Sequence, residues 1–246
     1  MVITPLRTRI FLPREPLVDF ITEHLKRPPE GSVIVVTSKI LALAQGRVVA
    51  LRGLNAKERS IRNECREMLR TPWCWLTKKN GEWCANAGVD ESNADGKLIL
   101  MPSAIQKNAA SLLRDLKRRY RRKRLGILIT DTRIFPMRVG TMGVVVGFAG
   151  IEATKSYIGE EDLFGRKLKM TQANIVHALA VSAVLVMGEG DERQPLALIQ
   201  HAPVTFTSKT VSVASLSIDP GDDLYRAAYL KPGPSSRQRA TRRRPQ

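Results

Sequence analysis

Short apolar runs alternate with longer amphipathic segments along most of this chain. Two continuous and mainly apolar runs, Ser32–Thr37 and Leu125–Thr130, are rich in β-branched and aliphatic residues and predict two buried strands. Weaker runs predict four more strands, near Val2–Leu6 and at Val48–Leu51, Lys97–Met101 and Pro195–Gln200. Periodic segments predict helices over about 16–26, 55–69, 103–120, 171–187 and 224–229.

Turn residues mark how some of these elements are joined. The turn Lys79-Asn80-Gly81 between two apolar runs is the strongest hairpin signal in the sequence. Asn55, with Glu58 three residues later, predicts a capping box at the start of a helix. A glycine-rich apolar stretch, GTMGVVVGFAGI, follows the second buried strand.

The alternation of strands and helices, with some hairpins, predicts an α/β or mixed α+β architecture. We expect residues 1–230 to form one domain, with a possible sub-domain boundary near 114–124. Pro, Ser and Arg dominate from Lys231 onward, so residues 231–246 are expected to be a disordered basic tail.

Composition narrows the class of protein. The chain has 246 residues, of which 43% are hydrophobic, and this is typical of a globular protein. It has no apolar run of the roughly 18 residues that span a membrane, and its first residues do not resemble a signal peptide. Its three cysteines include no CxxC pair, which disfavours a disulfide framework or zinc site. We expect a cytoplasmic protein without membrane contact.

Positive charge is concentrated in two places. The net charge is +17, yet the tail from Lys231 holds six basic residues and no acid, and residues 114–124 hold eight basic residues and one acid. The remainder of the chain is only mildly basic. Either patch could contact nucleic acid, phosphates or acidic lipids, and weak nucleic-acid contact through the tail is one prediction.

Three carboxylates occupy positions suited to a metal site. Asp131 follows a buried strand and precedes Thr132, and Mg²⁺ and Mn²⁺ prefer such oxygen ligands. Asp90 lies in the tight loop CANAGVDESN, together with Asn93. Glu189 follows a helix, where the dipole disfavours negative charge and a counter-cation would relieve it. Turn capping explains the first two positions without a ligand, and a solvated loop explains the third.

Familiar enzyme motifs of other classes are missing. The sequence contains no Walker A pattern, no GxGxxG and no GxSxG. Its histidines are scattered without metal-ligand spacing, and His177 lies in an apolar segment where packing is the simpler interpretation.

Several ordered motifs together resemble one family, the coenzyme F(420):L-glutamate ligases. They are VIVVTSKILALAQGRVV, CANAGVDESN, GILITDT, VGFAGI, YIGEEDLFGRKLKMT and VLVMGEG, and the likeness spans roughly residues 3–200. The resemblance implies mixed sheets with flanking helices and an intertwined homodimer. It also implies a GTP-dependent ligase, with Mg²⁺ or Mn²⁺, that joins L-glutamate to a carboxylate of the deazaflavin cofactor precursor through an acyl phosphate.

The same resemblance implies roles for individual residues, although it names no catalytic side chain. The metal ligands would be Asp90, Asp131, Thr132 and Glu189. The nucleotide would contact Arg7, Thr8, Arg9, Ile10, Ser38, Lys39 and Asn93.

The sequence departs from the family pattern near the predicted site. Leu43 stands where the family usually has a lysine, and Arg133-Ile134-Phe135 replaces the usual residues after Asp131-Thr132. These changes leave open a different acceptor, such as a folate or another carboxylate-bearing cofactor. A nucleic-acid-binding protein that uses the basic segment and the tail is the alternative from another class.

Overall fold

A computed structural model describes residues 1–79, 81–211, 213–219 and 221–229. Met1–Val213 forms one compact unit, which continues through residues 114–124. The described residues from 214 onward belong to a second unit, which contains part of a 3-10 turn at Val213–Leu216 and the short helix Arg226–Tyr229. The predicted basic tail lies outside the described residues.

A five-stranded mixed sheet forms the centre of the compact unit, as the mixed α/β prediction requires. Its spatial order is β1, β12, β2, β8, β9, and only β2 and β8 are parallel neighbours. The strands are β1 (Val2–Leu6), β2 (Ser32–Thr37), β8 (Leu125–Ile134), β9 (Thr141–Ala149) and β12 (Leu196–Gln200).

Helices cover both faces of this sheet. As a consequence, the central strand β2 is buried along its first five residues. On one face, Ile34 and Val36 pack with apolar side chains from three helices, α1 (Leu17–His24), α2 (Ser38–Ala44) and α4 (Ile105–Tyr120). On the other face, α5 (Ile175–Met187) lies against β9, β1 and β12.

The remaining elements form small sheets beside the main one. β3 (Val48–Ala50) pairs with β7 (Lys97–Ile99), and β10 (Thr154–Ser156) pairs with β11 (Gln172–Asn174). A three-stranded sheet follows α3 (Ala56–Glu64) and contains β4 (Glu67–Arg70), β5 (Trp75–Lys79) and β6 (Glu82–Ala85). The hairpin of β5 and β6 confirms the turn prediction, although Asn80 itself lies outside the described residues.

Glycines in β9 allow two helices to approach the sheet closely. A Cβ atom at Gly143 would lie 2.7 Å from the carbonyl oxygen of Ala180 in α5. A Cβ atom at Gly147 would lie 2.6 Å from Ile105 in α4. A register shift in the pairing of β8 with β9 separates the two glycines, so that they face opposite helices. The glycine-rich apolar stretch is therefore a packing feature.

Several local predictions are wrong. The strand at Leu125 does not stop at Asp131 but continues to Ile134, because β9 keeps pairing with it beyond the buried part. Asn55 does not cap α3 with its side chain, since its backbone is left-handed. The helix from Asn55 ends at Glu64, and β4 occupies part of its predicted range. The sequence reading also missed α2, β10 and β11. In the described part of the chain, no helix is long and apolar enough to cross a membrane.

Candidate functional site

Four separate segments of the chain meet at one edge of the central sheet. β2 and β8 are parallel and pair Thr37 with Thr130, so their carboxyl ends lie side by side. The antiparallel pairing of Leu6 with Leu196 brings the segment after β1 and the segment before β12 to the same edge. In open α/β sheets, ligands collect at the carboxyl ends of the strands.

A cavity of about 1180 Å³ opens at this edge. Its wall also includes the loop between β6 and β7, which carries CANAGVDESN. All the residues predicted to bind metal or nucleotide line this cavity: Arg7, Thr8, Arg9, Ile10, Ser38, Lys39, Asp90, Asn93, Asp131, Thr132 and Glu189.

Asp90 is held in place from two directions. Its backbone exchanges two hydrogen bonds with Ile99 at the end of β7, with N···O distances of 2.9 and 2.8 Å. Its carboxylate accepts the backbone N–H of Ser92 at 2.7 Å and pairs with Lys39 Nζ at 2.8 Å. Burial acts to raise the pKa of Asp90, but the bonds to Lys39 and Ser92 outweigh burial and lower it. Asp90 is therefore an anchored, ionised carboxylate.

Asp131 is paired with an arginine from its own strand. Side chains two residues apart lie on the same face of a strand, and Arg133 Nη1 donates to Asp131 Oδ2 in a short contact. Arg133 Nη1 also donates to the carbonyl of Thr132 at 2.9 Å. The Arg133 side chain is only 11% exposed, and its Nε is buried without a hydrogen-bond partner in the described structure. The guanidinium is thus incompletely satisfied.

A further carboxylate lies near this pair. The pKa of Glu82, on β6, is raised, and burial is the main cause. The positive charge of Arg133 opposes this shift, and the negative charge of Asp131 adds to it. Glu82 has no hydrogen bond or ion pair through its carboxylate to any described residue. Sequence reasoning missed both Arg133 and Glu82, because their proximity to Asp131 depends on β8 continuing past residue 131 and on the packing of β6 beside it.

Glu189 follows α5 at the rim of the cavity. Gly188 ends the helix with a φ of 84° and donates its N–H to the carbonyl of Val184 at 3.0 Å, and glycine adopts such a positive φ without a steric penalty. Partial burial of the Glu189 carboxyl raises its pKa, and the charges of Asp131 and Asp90 raise it further. Glu189 therefore lies within electrostatic reach of both other carboxylates, although they are distant in sequence.

Hydrogen bonds tie the loops around the cavity together. Asn93 Nδ2 donates to the carbonyl of Gly190 at 3.0 Å, which joins the CANAGVDESN loop to the loop after α5. The buried Thr8 donates its backbone N–H to the carbonyl of Arg193 at 2.8 Å. Both bonds link segments that meet only in the folded protein, so they fix the shape of the cavity wall.

Arg9 lies at the cavity, but its guanidinium is occupied elsewhere. It pairs with Glu15 and Glu23 and lies 5.0 Å from the centroid of the Phe20 ring. These contacts hold the N-terminal loop against α1. Arg7 and Ile10 also line the cavity, and Ile10 is 71% exposed, so this loop presents other groups to a ligand.

The carboxylates fit a divalent cation by their chemistry. Asp90, Asp131 and Glu189 provide oxygen donors, and the buried Thr130 Oγ1 at the cavity has no hydrogen-bond partner in the described structure. As they stand, no three acidic, His or Cys side chains of the described residues converge tightly enough to chelate an ion. Lys39 and Arg133 instead neutralise Asp90 and Asp131.

Comparisons with known proteins agree with this architecture. A sequence model of the F(420)-0:Gamma-glutamyl ligase family matches residues 5–201. The chain belongs to this family. A coenzyme F(420):L-glutamate ligase of Methanothermobacter thermautotrophicus is 34% identical over 193 residues, covering 71% of this chain and 76% of the relative. The corresponding ligase of Archaeoglobus fulgidus is 32% identical over 188 residues, covering 70% and 76%.

Two departures of this family member from the expected pattern now have a structural setting. Leu43 lines the cavity and packs partly buried against the core, so an apolar side chain replaces the expected lysine there. Arg133 supplies a positive charge inside the cavity.

The basic segment 114–124 lies away from the cavity. It ends α4 and precedes the amino end of β8, whereas the cavity lies beyond the buried run of that strand. Its backbone has a structural role, since Glu30 accepts the N–H groups of Lys123 and Arg124 at 2.9 and 2.8 Å. This segment is separate from the candidate site.

Proposed function

We propose that this family member is a nucleotide- and divalent-metal-dependent ligase that forms an amide bond between L-glutamate and a carboxylate of coenzyme F(420)-0 or a related cofactor. One observation carries the proposal. Residues predicted from distant motifs line a single cavity at the carboxyl-end edge of the central sheet. The names of the relatives supply the substrate class.

The proposed reaction has two balanced steps. A carboxylate oxygen of the acceptor attacks the γ-phosphorus of GTP, the bond to the β–γ bridging oxygen breaks, and GDP leaves. The resulting acyl phosphate carries a good leaving group. The α-amine of glutamate then attacks the acyl carbon and loses a proton, the C–N bond forms, and phosphate departs.

The residues around the cavity divide this work. Lys39, Arg7 and the backbone of residues 7–10 face the space where phosphates would lie, and Asn93 fixes the loop beside it. Asp90, Asp131 and Glu189, with Thr132, would hold the divalent ion. When bound, Mg²⁺ or Mn²⁺ neutralises phosphate charge and aligns the transfer.

The acceptor is the less constrained part of the proposal. The changed residues after Asp131 include Arg133, which places a guanidinium in the cavity wall. This change favours testing acceptors beyond the deazaflavin precursor, with a folate as the first alternative, because both present a carboxylate to the same chemistry.

We also propose a homodimer. Large apolar side chains are strongly exposed at three places: the tip of the β8–β9 hairpin, residues 158–170 and the outer face of α5. Groups of exposed apolar side chains are typical of interaction sites. Examples are Met137, Val139, Leu163, Phe164, Met170 and Leu185. Sedimentation at several protein concentrations tests the prediction, and a monomer at all of them contradicts it.

The direct test is a ligation assay on the full chain. Purified protein is incubated with labelled L-glutamate, GTP or ATP, Mn²⁺ or Mg²⁺, and either coenzyme F(420)-0 or a folate. We expect a product heavier by one glutamyl group, with one phosphate released per bond. Asp131→Asn should abolish the product in a protein that still folds, although it should unfold at a lower temperature because the buried Arg133 loses its paired carboxylate. Nucleotide binding without ligation of any acceptor would contradict the proposed activity.

A further inference from the structure

Two of the proposed metal ligands are already paired with cations of the protein itself. Lys39 Nζ lies 2.8 Å from Asp90 Oδ2, and Arg133 Nη1 contacts Asp131 Oδ2. A divalent ion that binds both carboxylates must displace these partners or share the carboxylates with them. The two pairs differ in how well the cation is satisfied.

Lys39 is fully engaged. Besides Asp90, its Nζ donates to the carbonyl of Ser92 at 2.8 Å and to Ser92 Oγ at 2.9 Å. An ammonium has three donors, and this geometry gives each of them an acceptor. Lys39 can therefore keep its two bonds to Ser92 when another cation approaches Asp90.

Arg133 is held less completely. Its hydrogen bonds to described residues are donated by Nη1, and its Nε is buried without a partner in the described structure. A buried donor without an acceptor is unfavourable, because it has lost its bonds to water and gained none in the protein. The pairing with Asp131 is thus a poor final arrangement for a buried guanidinium.

A second acceptor for Arg133 is close by. Glu82 lies on β6, which packs beside β8, the strand that carries Asp131 and Arg133. Its carboxylate has no hydrogen bond or ion pair with a described residue. It does not line the cavity. Glu82 could therefore receive the guanidinium without occupying the space of a metal ion or substrate.

We propose that Arg133 is an internal cation that occupies Asp131 until a divalent ion binds and is then held by Glu82. Arg133 acts here as a positioning residue, and the inference rests on the proposed metal site. The exchange leaves Asp131 free to bind the ion and pairs Arg133 with Glu82. In the metal-free protein, the pair of Arg133 with Asp131 reduces the repulsion among the cavity carboxylates. Because the resting pair competes with the ion, it weakens metal binding.

The test is a titration of the full chain with Mn²⁺ in the absence of nucleotide, followed by the electron paramagnetic resonance signal of free Mn²⁺. Arg133→Gln should bind Mn²⁺ about tenfold more tightly than the wild type, because the competing cation is gone. Arg133→Lys keeps the charge and should stay within about threefold of the wild type. Arg118→Gln, which removes an equal charge from the surface at 82% side-chain exposure, should leave the affinity unchanged.

Glu82→Gln tests the second half of the exchange. It should weaken Mn²⁺ binding severalfold, and this effect should vanish in the Arg133→Gln background, where no guanidinium needs a new partner. A Glu82→Gln effect that persists in that background overturns the role of Glu82. Thermal unfolding of each variant checks that it folds. If Arg133→Gln does not fold, the severalfold weakening predicted for the single variant Glu82→Gln remains a test of the proposal.

The failure of this inference differs from the failure of the proposed function. If Asp131→Asn loses Mn²⁺ while Arg133→Gln binds it no more tightly than the wild type, the internal-cation role is wrong and the metal site survives. If no variant binds Mn²⁺, with or without GTP, both the metal site and the role of Arg133 are wrong.

Discussion

Two clusters in this molecule combine carboxylates with Lys and Arg side chains, but in opposite proportions. Cations outnumber carboxylates in the first cluster, and carboxylates outnumber cations in the second. In the first, Glu64 at the end of α3 accepts Arg47 Nη2 at 2.8 and 2.7 Å and also pairs with Lys79 of β5. One carboxylate thus has two cations. Burial raises the pKa of Glu64, but its bonds to Lys79 and Arg47 outweigh burial and lower it.

The cavity has the reverse balance. Asp90, Asp131 and Glu189 interact electrostatically, but among the described residues only Lys39 and Arg133 form ion pairs with them. In the Glu64 cluster the carboxylate is paired and its pKa is lowered. In the cavity the pKa of Glu189 is raised by burial and by the neighbouring carboxylates. The difference indicates that the first cluster joins structural elements and that the second accepts a further cation.

The largest effect is expected for Asp90→Asn. It removes one proposed metal ligand while keeping the shape of the loop, so ligation should fall by at least about 100-fold. Glu91→Gln is the matched control, because Glu91 is the adjacent carboxylate and pairs with Lys57 at 3.1 Å outside the cavity. Initial rates of glutamate incorporation measure both. Equal losses of activity in the two variants would contradict the specific role proposed for Asp90.

Glu64→Gln should act on stability instead. It leaves Arg47 and Lys79 without their shared carboxylate, and we expect the free energy of unfolding to fall by about 2–3 kcal/mol. Because the pKa of Glu64 is lowered in the folded state, its stabilisation is present above the ordinary carboxyl range and is lost as the pH falls through the folded pKa. The loss should shrink accordingly in acid. Urea unfolding measures it.

Glu67→Gln is the control for that experiment. Glu67 is exposed and pairs with Lys78 at 3.6 Å, so its loss should change the free energy of unfolding by no more than about 0.5 kcal/mol. If Glu64→Gln were equally mild while strongly reducing ligation of a folded enzyme, the structural role assigned to the Glu64 cluster would be wrong.

Asn93→Gly should have a smaller effect on the site. Asn93 has a φ of 51°, which glycine also adopts, so the variant keeps the backbone and loses only the hydrogen bond to Gly190. A bond of this kind contributes about 0.5–1.5 kcal/mol, and the KM for GTP should rise about three- to tenfold. Steady-state kinetics at saturating glutamate test it. An unchanged KM would show that the link between the two loops does not shape the nucleotide site.

Glu189→Gln should produce the smallest change. A raised pKa favours the protonated carboxyl in the folded state, so the contribution of Glu189 to stability is present in acid and is lost as the pH rises through the raised pKa. In the metal-free protein near neutral pH, the variant should unfold about 1–2 °C higher, a small gain because Glu189 is only partly buried at the cavity rim. The gain should disappear in acid. Calorimetry at both pH values tests the sign.

The edge of the sheet that carries the site was predictable, and the contacts within it were not. Two buried apolar runs, each followed by polar residues, indicate strands whose ends collect ligands, and Ser38 and Asp131 do lie near that edge. The role of Arg133 depends on a strand that continues beyond its buried part. The hydrophobic pattern of a sequence indicates which residues are buried. It does not indicate how far the hydrogen-bonded pairing of two strands extends.

The same limit explains the local errors. The run from Ser38 to Ala44 is apolar like the strand before it, and periodicity cannot separate a short buried helix from a buried strand. Asn55 has the residue type of a helix cap but adopts a left-handed backbone, in which its side chain makes no capping bond. Both outcomes depend on tertiary packing.

The most direct test of the central claim is anomalous diffraction at the manganese edge from crystals of the full chain grown with Mn²⁺ and a non-hydrolysable GTP analogue. We expect a manganese peak at the sheet edge, within about 2–2.4 Å of carboxylate oxygens from at least two of Asp90, Asp131 and Glu189. The analogue's phosphates should lie on the other side of the ion. A nucleotide bound in the cavity with no metal on these carboxylates, or a metal bound elsewhere, would contradict the account.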